Sequence, residues 1–145
     1  MARNFGRNNA ILGHDAQATA TGTTGTVSGS VYDLNGYDGI VFMAEIGATA
    51  TNKGLKALVS SASGGTFSDL AGTWATGQTS CILLEITKPQ NYRYIKPQLI
   101  LGTSCHHGGI WAIGVGPRKL PTTGHMAAVT YKQVNSPTTG TATSS

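Results

Sequence analysis

The chain has 145 residues, a formal charge of +4 and 11% charged side chains, well below the roughly 25% of an ordinary soluble domain. That length suits one domain with its own core. No run approaches the ~18 apolar residues of a membrane span, and no apolar stretch follows the polar first nine residues as it would in a secretory leader.

Residues 1–9 (MARNFGRNN) read as a polar arm, with Arg3 and Arg7 around a lone Phe5, too short to fold unless pinned to a neighbour. A strand can begin at Ala10 to Leu12. The Ala/Thr/Gly-rich run 16–26 reads as an irregular edge strand plus loop, because Thr favours strands and Gly weakens them. Val31 is the expected core position of the weak alternation that follows. The turn cluster Asn35-Gly36-Tyr37-Asp38-Gly39 leads into Ile40, Phe42, Ala44 and Ile46, which alternate with Val41, Met43 and Glu45. A side-chain period of two is the mark of a strand, and apolar residues on both faces place this one centrally. Leu55, Ala57 and Val59 then face opposite Lys56, Leu58 and Ser60. After a Gly-centred turn at 61–69 and a short stretch around Trp74, residues 81–87 (CILLEIT) form another two-sided apolar strand.

Residues 91–119 read as two strands joined by a Gly-rich hairpin turn at 102–109. In the first, Arg93, Ile95, Pro97, Leu99 and Leu101 share a face; in the second, Trp111, Ile113 and Val115 alternate with Ile110 and Ala112. The sum is an all-β, jelly-roll-like sandwich of about eight antiparallel strands spanning residues 10–124, with flexible extensions at 1–9 and 125–145. The apolar run 126–134 either adds a strand to another subunit's sheet edge or ends its own sheet.

All six carboxylates precede Lys88, whereas Lys88, Arg93, Lys96, Arg118, Lys119 and Lys132 follow with none among them. Such a half points to an acidic partner, or to solvated charges unevenly placed. Cys81 and Cys105 make no disulfide framework and are expected as free, buried thiols. His106-His107 beside Cys105 is the only cluster of metal-ligand types, and adjacent strand residues point to opposite faces, so a polar hairpin tip is the expectation and no metal or other cofactor is assigned. Carboxylates occur singly, and both the G-x-S-x-G elbow and the phosphate-binding G-x-x-x-x-G-K-[ST] are missing; no catalytic residues are assigned and an enzyme is not expected. Tyr92, Arg93, Tyr94 and Lys96 interleave aromatic and basic residues as nucleic-acid-binding sheets do. Packing at a subunit interface accounts for them better, and makes Tyr92, Tyr94 and Tyr131 the expected interface residues without direct nucleic-acid binding.

The order GYDGIVFMAEIGA (36–48), GGTFSDLAGT (64–73), ILLEITKPQNYRYIKPQLILGT (82–103) and GIWAIGVGPRKLPT (109–122) resembles a group of small virion proteins of tailed double-stranded DNA phages. The resemblance spans roughly residues 30–122 and is greatest to the jelly-roll cement proteins that decorate short-tailed phage capsids. It implies a β-sandwich, often dimeric, assembled in the host cytoplasm onto the outer capsid surface. There it would bridge neighbouring major capsid protein subunits and stabilise the shell. On this reading Arg3, Arg7, Arg93, Lys96, Arg118 and Lys119 are the expected capsid-contacting residues. A tail-tube or head–tail joining role, and a glycan-binding attachment domain using exposed Trp74 and Trp111, are the alternatives; both tryptophans are expected to be buried.

Overall fold

A computed structural model describes residues 5–15, 23–47, 54–76 and 80–118. Within them a helical turn, α1 (Phe5–Asn8), precedes nine antiparallel strands. These are β1 (Asn9–Asp15), β2 (Thr23–Ser28), β3 (Tyr32–Asp33), β4 (Gly39–Gly47), β5 (Gly54–Ser60), β6 (Ser68–Asp69), β7 (Ala75–Thr76), β8 (Ser80–Thr87) and β9 (Tyr94–Val115). They form two sheets, and the all-β sandwich anticipated from the alternating patterns is what folds.

The sheets share β9. Its first part, Tyr94 to Leu101, pairs with β3 and β2 on one side and with β5 on the other, and β5 carries β6 and β7. We call this sheet II. Its last part, Ile110 to Val115, lies between β1 and β4, and β4 pairs onward with β8, giving sheet I in the order β1–β9–β4–β8. No hairpin therefore interrupts residues 91–115: the Gly-rich run is the middle of one 22-residue strand. Gly109, at φ 95°, lets the backbone bend between sheets in a region that a Cβ would disfavour.

Strand parity sorts the core. Ile40, Phe42, Ala44 and Ile46 of β4 are at most 2% exposed; their cross-strand partners include Ile86, Leu84 and Ile82 of β8 and Ala112 and Ile110 of β9. Facing them from sheet II are Leu55, Ala57 and Val59 of β5 and Ile95 and Leu99 of β9, all in one cluster. Removing this much apolar surface from water supplies the main drive to fold, at about 25 cal/mol per Å².

A polar latch ties the end of β1 to the segment leading into β3. Asp15 accepts hydrogen bonds from the Ser30 N–H (2.9 Å), the Ser30 hydroxyl (2.5 Å) and the Tyr32 phenol (3.2 Å). Burial first, and the Asp15 charge second, push the Tyr32 phenol well above its ordinary range, so it stays a donor. The ring lies over Gly13, where an added Cβ would stand 2.6 Å from Tyr32 Cε1. Asp15→Ala is expected to cost about 1–3 kcal/mol, since it leaves the largely buried phenol without its acceptor, measured as a lower urea midpoint at unchanged m-value.

Four expectations about single residues are corrected. Val31 is 42% exposed, and its neighbours Tyr32 and Leu34 fill the core instead, because the β3 register turns the even positions inward. Cys81 is exposed on β8, on the odd side of a strand whose even side is buried; the side chain of Cys105 lies outside the described residues. Trp74 and Trp111 are 46% and 36% exposed rather than buried. Strand β8, apolar on both faces as its sequence indicated, pairs with β4 alone among the described residues.

Candidate interaction surface

Many outward positions of sheet I are apolar as well. Cross-strand pairing aligns Ile11, Ile113, Val41 and Glu85 in one row, and His14, Trp111, Met43 and Leu83 in the next. Directly opposed side chains lie about 4.5–5.5 Å apart at Cβ, so the rows make a continuous apolar surface over four strands. With Val115 and with Phe5 of α1 they enclose an open hollow of about 570 Å³. Leu83 is 61% exposed and Phe5 57%. Scattered exposed apolar residues need no explanation, whereas a contiguous patch of this kind is the usual form of an interaction site.

The polar groups on this face are few and specific. The His14 ring stacks on Trp111 with centroids 4.0 Å apart and planes 26° from parallel. Glu45 and Glu85 are both exposed on this side, and neither joins an ion pair among the described residues. The face is therefore an apolar floor with acidic spots, and a complementary surface is apolar with basic groups at its margin.

The expected basic contacts do not gather here. Arg93 lies before β9, exposed, with Nε and Nη2 donating to both Asp33 oxygens at 2.8 and 2.6 Å. Its hydrogen bonds hold the Asp33 carboxyl below its usual range, and its guanidinium stands 5.2 Å from the Tyr94 ring centre. Lys96 is on the outer side of sheet II with its ammonium 4.7 Å from the Phe67 ring centre. Arg118 follows β9 and is exposed. Tyr92 is 39% exposed and Tyr94 half-buried. Arg3, Lys119 and Tyr131 lie outside the described residues, as does the side chain of Arg7. A charge asymmetry along the chain has become three separate positions in space.

His107 is not at a hairpin tip. It pairs in register with Ile46 in the crossing part of β9, is 3% exposed, and neither ring nitrogen has a hydrogen-bond partner among the described residues. Burial lowers its pKa from the ordinary 6.5, as desolvation penalises the imidazolium. Among the described residues no three His, Cys, Asp or Glu side chains come together as metal ligands.

No family model matches the chain, and no curated protein or solved structure matches it either.

Proposed function

We propose that this chain is a structural virion protein that binds the outer surface of a phage capsid through the outward face of sheet I and bridges neighbouring major capsid protein subunits. The observation that carries the reading is the apolar surface formed by Ile11, Val41, Met43, Leu83, Trp111 and Ile113. A sandwich that has already buried one apolar face of each sheet, and still presents a second, is built to be covered. The order of the four sequence motifs supplies the phage setting. Self-association as a homodimer, with Tyr92 and Tyr94 exposed or half-exposed at the start of β9, belongs to the same proposal.

Relative to the sequence expectation, the contact set changes. Apolar residues of sheet I form the primary contact, and Lys96 and Arg118 lie at most at its margins. Salt separates the two versions, because the Debye length falls to about 3 Å at about 1 M salt and weakens exposed charge pairs much more than apolar contact. When the protein is mixed with shells assembled from the phage's major capsid protein, it is expected to co-sediment, to raise the shells' disruption temperature, and to remain bound at high salt. A protein left in the supernatant at every salt concentration contradicts the proposal.

The exposure of Trp74 and Trp111 favours a second reading, a glycan-binding attachment domain, since sugars stack on exposed aromatic rings. The surroundings of Trp111 weigh against it: His14 already stacks on the ring, and its neighbours across the strands are Met43 and Leu83. Sugar hydroxyls need a ring of polar partners that this face does not offer. Binding to a glycan array without binding to shells would favour the attachment reading.

A further inference from the structure

Among the described residues, the sheet edges are interrupted or short, with one exception. Strands β1 and β2 each carry a register shift against β9, and β3, β6 and β7 are two residues long. Strand β8 pairs with β4 from Ser80 to Thr87 without a shift, and its other side has no partner among the described residues. Its sequence, SCILLEIT, holds no Pro, no Gly and a single charge, Glu85. Proteins blunt exposed edges with short strands, bulges, Pro or Lys, because a long regular edge is a template for another strand. We propose that β8 of a second copy closes this edge, running antiparallel, with Leu84 of each copy on the twofold axis.

Strand parity favours this occupant. Opposed residues of an antiparallel pair point to the same side of the sheet, so the inward Ile82, Leu84 and Ile86 must meet inward residues. The proposed register sets Ile82 opposite Ile86 of the second copy, and the two Leu84 side chains opposite each other. Leu84 is only half-buried in one copy, whereas Ile82 and Ile86 are 5% and 7% exposed. The second strand covers what remains of it. On the outward side Leu83 stands opposite Glu85 of the second copy, and Cys81 opposite Thr87 of the second copy. A shift of two residues one way opposes the two Glu85 carboxylates, which repel. The same shift the other way takes Ile86 out of its apolar pairing.

The twofold axis of such a pair is normal to the sheet, so the outward apolar faces of both copies lie on the same side. One dimer then presents two docking faces in a common direction, as a bridge between neighbouring capsid subunits needs. For this purpose the inference rests on the capsid-bridging reading, and it moves the dimer contact from Tyr92 and Tyr94 to β8.

The test uses the free protein without shells, so its failure and a failure of shell binding are distinguishable. Mild oxidation of Thr87→Cys is expected to give covalent dimers in which position 87 of one copy is linked to Cys81 of the other, since opposed residues lie within disulfide reach. Along one strand the same two positions are about 20 Å apart, so the link cannot form within a chain, and mass spectrometry of cleaved peptides identifies it. Cys81→Lys combined with Thr87→Lys opposes two ammonium groups at each end of the contact, on residues that are exposed in one copy. That double variant is expected to dimerise at least about tenfold more weakly in sedimentation equilibrium. In the parent, the amides of residues 80–87 that point away from β4 should exchange more slowly as concentration rises. A parent that stays monomeric at every concentration, the absence of the link between positions 81 and 87, or unchanged dimerisation of the double variant would each overturn the proposal. Protection of those amides that does not vary with concentration would overturn it too.

Discussion

Leu83→Glu is expected to weaken shell binding by about 30- to 1,000-fold while leaving the fold intact. Leu83 is the most exposed member of the row with Met43, Trp111 and His14, so a carboxylate there stays hydrated in the free protein. Surface substitutions of this kind change stability by no more than about 0.5 kcal/mol. In the docked state the same carboxylate loses its water against an apolar partner, two residues from Glu85 on the same side of β8. The combined desolvation and repulsion come to about 2–4 kcal/mol, which sets the expected range. The control is Lys96→Glu combined with Arg118→Glu. Those residues lie on different elements, one beside Phe67 and one beyond β9, and exposed charges of this kind contribute little. That double variant should lose less than about tenfold. Titration of each variant against a fixed amount of shells, with circular dichroism to check the fold, measures both effects.

The second large effect concerns His107, which should make stability depend on acid. Its side chain is buried without a hydrogen-bond partner among the described residues, and its folded pKa lies below the ordinary 6.5. Above pH 6.5 the imidazole is neutral in both folded and unfolded chains and contributes no slope. As the pH falls through 6.5 the unfolded chain binds the proton first, so stability falls, by at most about 1.4 kcal/mol per pH unit for one proton. The loss continues until the folded pKa is reached and then levels off. His107→Leu removes both the titration and the unpaired nitrogens in a side chain of similar bulk. It is expected to raise stability at neutral pH by about 1–3 kcal/mol and to flatten the curve below pH 6.5 relative to the parent. Urea midpoints across that range provide the measurement, and the difference between the two proteins cancels the other histidines. Parallel curves for the two would place the acid sensitivity elsewhere.

Much of the fold was legible because strand parity is a local signal. Ile40, Phe42, Ala44 and Ile46, and likewise Leu55, Ala57 and Val59, point inward as their alternation required. Parity also placed Trp111 opposite Ile110 and Ala112, and the packing of the two sheets turns its side outward. The general preference of large aromatic residues for the interior concealed that consequence. Residues 102–109 have the composition of a turn and nevertheless continue a strand, since both sheets supply partners along β9 and Gly109 permits the bend. Tertiary pairing there overrides a local preference. The basic residues were the least legible part of the candidate site. Counting charges along the chain says nothing of the sheet or side on which each one lies, nor that Asp33 would be the partner of Arg93. The apolar face of sheet I carries no motif at all. It appears only when β1, β9, β4 and β8 are placed side by side.

Covalent carbene labelling of the free and shell-bound protein reads the docking face residue by residue. If the outward side of sheet I carries the contact, Met43, Leu83 and Trp111 lose most of their labelling on binding, while Tyr92 and Arg118 keep theirs. Unchanged labelling at Met43, Leu83 and Trp111 on fully decorated shells would contradict it.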